Sequence, residues 1–172
     1  MQLRYRKMSS PVGSIYLVAD QVSLLAVTFG CRWEKISGKL SGLRDGDSAV
    51  ICRARTQLRE YFARQRTAFD LPIRLHGTPF QQRAWQALLT IPYGESRSYS
   101  EQARLAGNPA AVRAVGRANS QNPLAIVVPC HRVIGKSGRL TGYAGGLAVK
   151  RFLLDLEYID YEDDPSSISA ER

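Results

Sequence analysis

No apolar run in this 172-residue chain approaches the roughly 18 residues that a membrane-spanning helix needs, so no transmembrane segment is expected. Cysteine is scarce: Cys31, Cys52 and Cys130 form an odd set without regular spacing, which argues against a secreted disulfide framework. Met1 to Pro11 is basic but lacks the apolar core and small-residue cleavage site of a signal peptide, so the expectation is a reduced intracellular protein, cytoplasmic and nucleoid-associated in a bacterium. The most informative shortage is of negative charge. Lys and Arg total 24 against 15 Asp and Glu, a net charge of +9. From Gln102 to Leu154 there is no carboxylate at all, while Arg104, Arg113, Arg117, Arg132, Lys136, Arg139, Lys150 and Arg151 fall in that interval. Such a tract predicts a positive surface field suited to a polyanion; the plainer account is a basic protein kept soluble by its charge.

What is present supports a folded chain, since 44% of the residues are hydrophobic. Leu3–Lys7, Ile15–Ala19 and Val22–Phe29 are rich in β-branched and aromatic residues, with Asp20-Gln21 placed to turn a hairpin. Gly30, Gly38, Gly42 and Gly46 punctuate a polar stretch that reads as loop. Ile51, Ala54, Leu58, Tyr61 and Phe62 then fall on one face of a helix over about Ala49–Gln65, and a strand near Phe69–Leu75 would close a first domain, residues 1–76.

The second half reads as helical, residues 77–159, followed by an acidic tail, 160–172, expected to be disordered. Thr78-Pro79 starts one helix, which Pro92 and Gly94 stop. Ser98 and Glu101 form a capping box opening a short helix to Gly107, and Asn108-Pro109 restarts another to Asn119. Two short helices about a glycine turn suggest a helix-turn-helix, an arrangement also common in plain bundles. The second of these, with Ala110, Ala111, Ala114, Gly116 and Ala118, has little bulk; close approach to a groove and close packing in a core both favour that composition. Arg113 and Arg117 share one side of it and should resist burial. Leu124 to Pro129 reads as a buried extended segment, Gly135–Gly146 as a loop of unusual dihedrals, and Leu147–Tyr158 as a last helix.

The extended segment delivers Cys130-His131-Arg132. A cysteine beside a histidine among cations is a candidate nucleophile, because positive neighbours favour the thiolate; a buried structural cysteine is the commoner case for such a dipeptide. Here Pro129-Cys130-His131-Arg132-Val133, Arg113-Ala114-Val115-Gly116, Asn122-Pro123 and Gly142-Tyr143-Ala144-Gly145-Gly146-Leu147 resemble, in order and spacing, the motifs of the O6-alkylguanine-DNA alkyltransferase family, over roughly Thr78 to Glu157.

The resemblance implies a ribonuclease H-like α/β domain, a small sheet plus a helix, followed by a mostly helical, winged-helix-like domain with the helix-turn-helix. It implies transfer of an alkyl group from guanine O6 in double-stranded DNA to Cys130, once and without a cofactor, with O4-alkylthymine a further candidate substrate. His131 and Glu157 are then a water-bridged relay to the cysteine. Asn122 is a turn former steadying the approach to Cys130, although an ordinary Asn-Pro turn accounts for it nearly as well. Tyr99 crowds the target phosphate and reaches guanine N3. Arg113 fills the space left by a flipped nucleotide. Ala111, Ala114 and Gly116 let the helix enter the minor groove, with Arg117 beside them. Val133, Tyr143, Ala144, Gly145 and Lys150 line the alkyl pocket; a solvated lysine at the start of a helix explains Lys150 equally well. Ala144 and Ala125 stand where some relatives carry serine and proline. Zinc-binding members hold the metal in the first domain with two Cys and two His. Cys31, Cys52 and His76 are one ligand short and irregularly spaced, so no structural zinc is expected; a Cys31–Cys52 disulfide is the disfavoured alternative to two free thiols. A monomer is expected, with cooperativity along DNA left open. The rivals are a non-enzymatic reader of alkylated bases, whose known examples lack the cysteine, and a cysteine hydrolase, for which the sequence offers no oxyanion motif.

Overall fold

Three apolar-rich segments pair in sequence. β1 (Leu3–Ser10), β2 (Gly13–Ala19) and β3 (Leu24–Phe29) form an antiparallel meander, and β4 (Leu43–Asp45) adds to the free edge of β1 in parallel, giving the order β3-β2-β1-β4. The computed structural model describes residues 2–163. β1 extends three residues past its expected end, because the turn that stops it is Ser10–Gly13, with Gly13 at φ 92° and the Ser10 hydroxyl donating to the Gly13 carbonyl at 2.6 Å. The next turn is made by Asp20, whose Oδ1 accepts from Val22 N at 2.8 Å and Ser23 N at 2.7 Å, so Val22 and Ser23 belong to the turn and β3 starts at Leu24. α2 (Ala49–Phe62) is capped by Ser48 and lays Val50, Ile51, Ala54, Leu58 and Tyr61 onto β1 and β2.

Two expectations for this unit need correction. The stretch read as loop contains a 3-10 turn, the five-residue α1 (Trp33–Ser37), and β4. Elements so short carry no periodicity; what holds α1 is tertiary, the Trp33 ring stacking on Tyr16 at 4.1 Å and leaning on Tyr5 at 4.9 Å. Phe69–Leu75 is not a strand. Only Ile73 bridges to Leu24, since Pro72 has no N–H to donate and Asp70 is tied by its backbone to the Gln57 amide at 2.9 Å in both directions.

The chain divides into two compact units, one comprising the residues up to Gly77 with Pro123–Val128, the other Thr78–Asn122 and the residues from Pro129 onward. The return of Pro123–Val128 to the first unit departs from a single cut at residue 77. That segment is buried as expected, but it is not extended: Leu124 bridges Val27, Val128 N bonds back to Leu124 O at 2.8 Å, and Ile126 sits at φ 70°. A β-branched residue in the left-handed region costs about 1–3 kcal/mol, which surrounding packing must offset.

In the second unit, α3 (Pro79–Leu89) opens with a complete capping box between Thr78 and Gln81. The two-residue strand β5 (Arg97–Ser98) pairs in parallel with β6 (Val133–Ile134). α4 (Tyr99–Leu105) carries the Ser98/Glu101 box, and α5 (Val112–Ser120) follows. α5 begins later than its proline suggested, because Asn108 forms a turn of its own, accepting from Ala110 N at 3.2 Å on the side chain and from Ala111 N at 3.0 Å on the backbone. These three helices meet on a core of alanines, Ala84, Ala87, Ala103, Ala106 and Ala118, with Val115. A buried reciprocal amide pair, Gln102 with Asn119 at 2.8 Å each way, and the Trp85 indole donating to Ala118 O at 2.9 Å fix α5 against its neighbours. α6 (Leu147–Leu156) ends the regular structure. The first residues of the expected disordered tail are engaged: Tyr161 packs on Ile134, Leu154 and Ile159, Glu162 N donates to Gly138 O at 2.8 Å, and Asp163 pairs with Arg151 at 2.8 Å. Residues 164–172 of that tail lie outside the described residues. Among the described residues no helix is long and apolar enough to cross a membrane.

Gly116 has one neighbour of note. A Cβ added there meets the Tyr99 ring at 3.7 Å, an ordinary contact. Gly116→Ala should therefore fit and stabilise the fold by about 1 kcal/mol through helix propensity, read as a higher urea midpoint; a lower midpoint would mean the glycine is required by packing.

Candidate active site

Pro129 leads into a 3-10 turn, Cys130–Arg132, whose three side chains are all buried. Cys130 meets Asn122, while His131 and Arg132 converge on Glu157. The Cys130 sulfur lies 3.3 Å from Asn122 Nδ2, so the asparagine reaches the sulfur itself, a contact beyond that of a turn former. His131, with no exposed surface, places Nε2 on Glu157 Oε2. Arg132 places Nε on Glu157 Oε1 at 2.7 Å and Nη1 on Ile91 O at 2.7 Å, with its guanidinium 5.8 Å over the Tyr93 ring.

Glu157 caps the C-terminus of α6 and is completely buried. Burial pushes the His131 imidazole below the ordinary histidine range; Glu157 opposes this, and the charges of Arg132 and Lys150 add to it. The resting imidazole is therefore neutral, with its proton on Nε2 toward the carboxylate and the lone pair on Nδ1. That nitrogen is buried and has no hydrogen-bond partner among the described residues.

Lys150 is also buried, 1% exposed, which removes the solvated reading. Its Nζ donates to Val133 O at 2.7 Å and lies 3.5 Å from Thr141 O. Burial lowers its pKa to about 8, and attraction to an ionised Cys130 works against that shift. Tyr99, at the first turn of α4, sets its ring on Gly116 and shares a 2.6 Å hydrogen bond with the Thr141 hydroxyl. Burial raises the phenol pKa of both Tyr99 and Tyr143, so both stay protonated. Tyr143, Ala144 and Gly145 are half-buried in the loop before α6.

The fold thus gathers Cys130, His131, Glu157, Asn122, Val133, Lys150 and Tyr99, with Gly116 joined through Tyr99. Arg113, Ala114 and Arg117 stand on the exposed face of α5, and half-buried Ala111 precedes the helix. Two residues were missed. Arg132 was visible only as a letter of the motif; the available signal was that a buried carboxylate needs a second strong donor. Thr141 gave none beyond its place in the glycine-rich loop. A surface hollow lined by Pro79, Arg83, Thr90, Leu105 and Gly107 among others holds none of these groups. Cys31 and Cys52 are exposed thiols, and among the described residues no three His, Cys, Asp or Glu are grouped to hold a metal.

The architecture and this cysteine centre define a two-unit protein with a buried thiol beside a histidine, a carboxylate and an arginine. Residues 3–75 match the family model described as 6-O-methylguanine DNA methyltransferase, ribonuclease-like domain, and residues 79–159 match the DNA binding domain of the same name. The methylated-DNA–protein-cysteine methyltransferase of Mycobacterium tuberculosis is 48% identical over 163 residues, covering 90% of this chain and 92% of that protein. The constitutive enzyme of Bacillus subtilis is 44% identical over 162 residues, covering 92% and 98%. A crystal structure of the M. tuberculosis protein in complex with DNA superposes with a TM-score of 0.80 at 48% identity, covering 90% and 92%. The chain belongs to the methylated-DNA–protein-cysteine methyltransferase family.

Lys150 generates a pH prediction. Its folded pKa of about 8 lies below the ordinary 10.5, so its burial opposes folding at and below pH 8 and that opposition fades as pH rises toward 10.5. Relative to Lys150→Met, the wild type should gain roughly 3 kcal/mol between pH 8 and 10.5 in urea unfolding. A pH-independent difference would contradict the buried ammonium.

Proposed function

We propose that this protein repairs O6-alkylguanine in double-stranded DNA by moving the alkyl group to its own Cys130, once per molecule. The observation that carries the reading is the arrangement behind the thiol: a buried sulfur on Asn122, and a neutral His131 whose Nε2 is fixed by Glu157 while Nδ1 is left as a buried acceptor. In the proposed step, a water passes the thiol proton to Nδ1, and Glu157 stabilises the imidazolium. The thiolate then attacks the alkyl carbon and the carbon–O6 bond breaks with its electron pair going to the guanine, which leaves as a neutral base as it is protonated at N3 through its hydrogen bond to Tyr99, the proton held by His131 returning through water to restore the phenol. The Lys150 ammonium favours the thiolate electrostatically. The product is a thioether with no leaving group, so nothing restores the thiol.

The target atom is unreachable inside a stacked duplex, and the reading includes extrusion of the nucleotide. Arg113 takes its place in the stack; Ala111, Ala114 and Gly116 admit α5 to the minor groove, and Arg117 meets phosphate. Tyr143, Ala144 and Gly145 form a wall of the alkyl pocket. The Val133 carbonyl receives the exocyclic amine on the lone pair that Lys150 leaves unused. The first unit, residues up to about 76, supports the second, and the protein works as a monomer inside the cell, where its substrate is. The presence of Cys130 separates this reading from a non-enzymatic reader of alkylated bases.

Incubation with an oligonucleotide duplex containing O6-methylguanine should add one methyl group to the Cys130 peptide by mass spectrometry, at no more than one equivalent; an unmodified Cys130 would end the proposal. Arg113→Ala should slow repair of that duplex by about tenfold, ~1.4 kcal/mol of the few that unstacking costs, and leave reaction with free O6-benzylguanine near the wild-type rate. Equal losses on both substrates would contradict the stacking role.

A further inference from the structure

Resting on that reading, we propose that Arg132 is a positioning residue that holds Glu157 ionised, with one oxygen on His131, and keeps Nδ1 open for the Cys130 proton. Three features of the geometry lead there.

First, Glu157 is a buried acid whose charge Arg132 compensates at close range. It has no exposed surface, and it sits at the C-terminal end of α6, where the helix carbonyl groups already concentrate partial negative charge. Its two oxygens are divided between adjacent residues of one 3-10 turn: His131 on Oε2 and Arg132 on Oε1 at 2.7 Å. Neighbouring side chains diverge, and here the divergence spans the width of a carboxylate.

Second, the guanidinium is held independently of Glu157. Nη1 donates to Ile91 O just beyond α3 at 2.7 Å, and the plane lies 5.8 Å over Tyr93, whose hydroxyl donates to Leu156 O at 3.1 Å. Arg132 therefore joins the end of α3, the cysteine turn and the end of α6, and fixes the carboxylate's orientation as well as its charge.

Third, Arg132 is the cation in direct contact with the carboxylate. The groups facing His131 and Glu157 are Arg132 and Cys130 from the turn, Lys150 from α6, and the hydroxyl of Tyr143 from the loop. A bare His131–Glu157 pair is a good proton trap: a carboxylate beside an imidazole draws a proton from solvent, and that proton would occupy Nδ1 before the thiol supplied one. The cation 2.7 Å from Oε1 cancels this attraction. Proton transfer from sulfur to Nδ1 then leaves the total charge of the cluster unchanged, forming one anion and one cation from two neutral groups.

The test is the pH dependence of Cys130 alkylation by O6-benzylguanine. Removal of the cation raises the proton affinity of the His131–Glu157 pair whichever member takes the proton, so the acid limb of the rate should move up by about one pH unit in Arg132→Gln. Arg132→Lys keeps the charge and should keep the wild-type acid limb, at a reduced rate because the fork is lost. A purely structural role lowers the rate in both variants without moving either limb, and that result overturns the proposal. Should Arg132→Gln fail to fold, the double variant R132Q/E157Q, which removes the ion pair whole, is compared with E157Q: its acid limb should lie higher, and coincident limbs overturn the proposal. Failure of the wild type to alkylate at all would instead overturn the function proposed above.

Discussion

A carboxylate with no exposed surface sets the terms for everything around it. Leaving water costs Glu157 several kcal/mol, and that cost is recovered only if each oxygen meets a strong, well-placed donor. His131 and Arg132 can meet it from one side because the chain turns tightly at Cys130. They stay there because Ile91 O and the Tyr93 ring hold the guanidinium. Pull any of these away and the result is a buried unpaired ion, the most destabilising kind of core defect. The end of α3, the cysteine turn and the end of α6 are thus locked together by the same interactions that set the chemistry of the thiol.

Local signals were legible in the sequence and non-local ones were not. Thr78-Pro79 and Ser98 with Glu101 announce helix starts because each signal lies within four residues. The face of α2 is readable because fourteen residues sample nearly four turns. By contrast, α1 exists through Trp33 on Tyr16, and β4 through its pairing with β1; neither partner is near in sequence. The fold of Pro123–Val128 depends on Val27, so its apolar run disclosed burial and not the turn at Ile126.

The site divides in the same way. Cys130-His131 is contiguous and stands out, whereas Glu157 enters only through family likeness, since nothing in a residue near the end of a helix marks it as buried. Arg132 lay in plain view and went unused, because adjacency to a histidine does not reveal that both side chains converge on one distant carboxylate. Lys150 had two readings of equal weight, and only the depth of α6 in the fold decides between them.

The anion-free tract therefore serves two purposes that charge counting merges. Arg104, Arg113, Arg117, Lys136 and Arg139 are exposed and produce an external positive field. Arg132 and Lys150 are inside, where water does not screen them and their effect is short-ranged: one compensates Glu157, the other faces the sulfur. A carboxylate placed at random among these residues would weaken the outer field slightly, but near the inner pair it would add a second buried anion competing for Arg132. The absence of acids up to Asp155 is thus required more strictly by the interior than by the surface, and Glu157, the one acid admitted, is the one with a cation of its own.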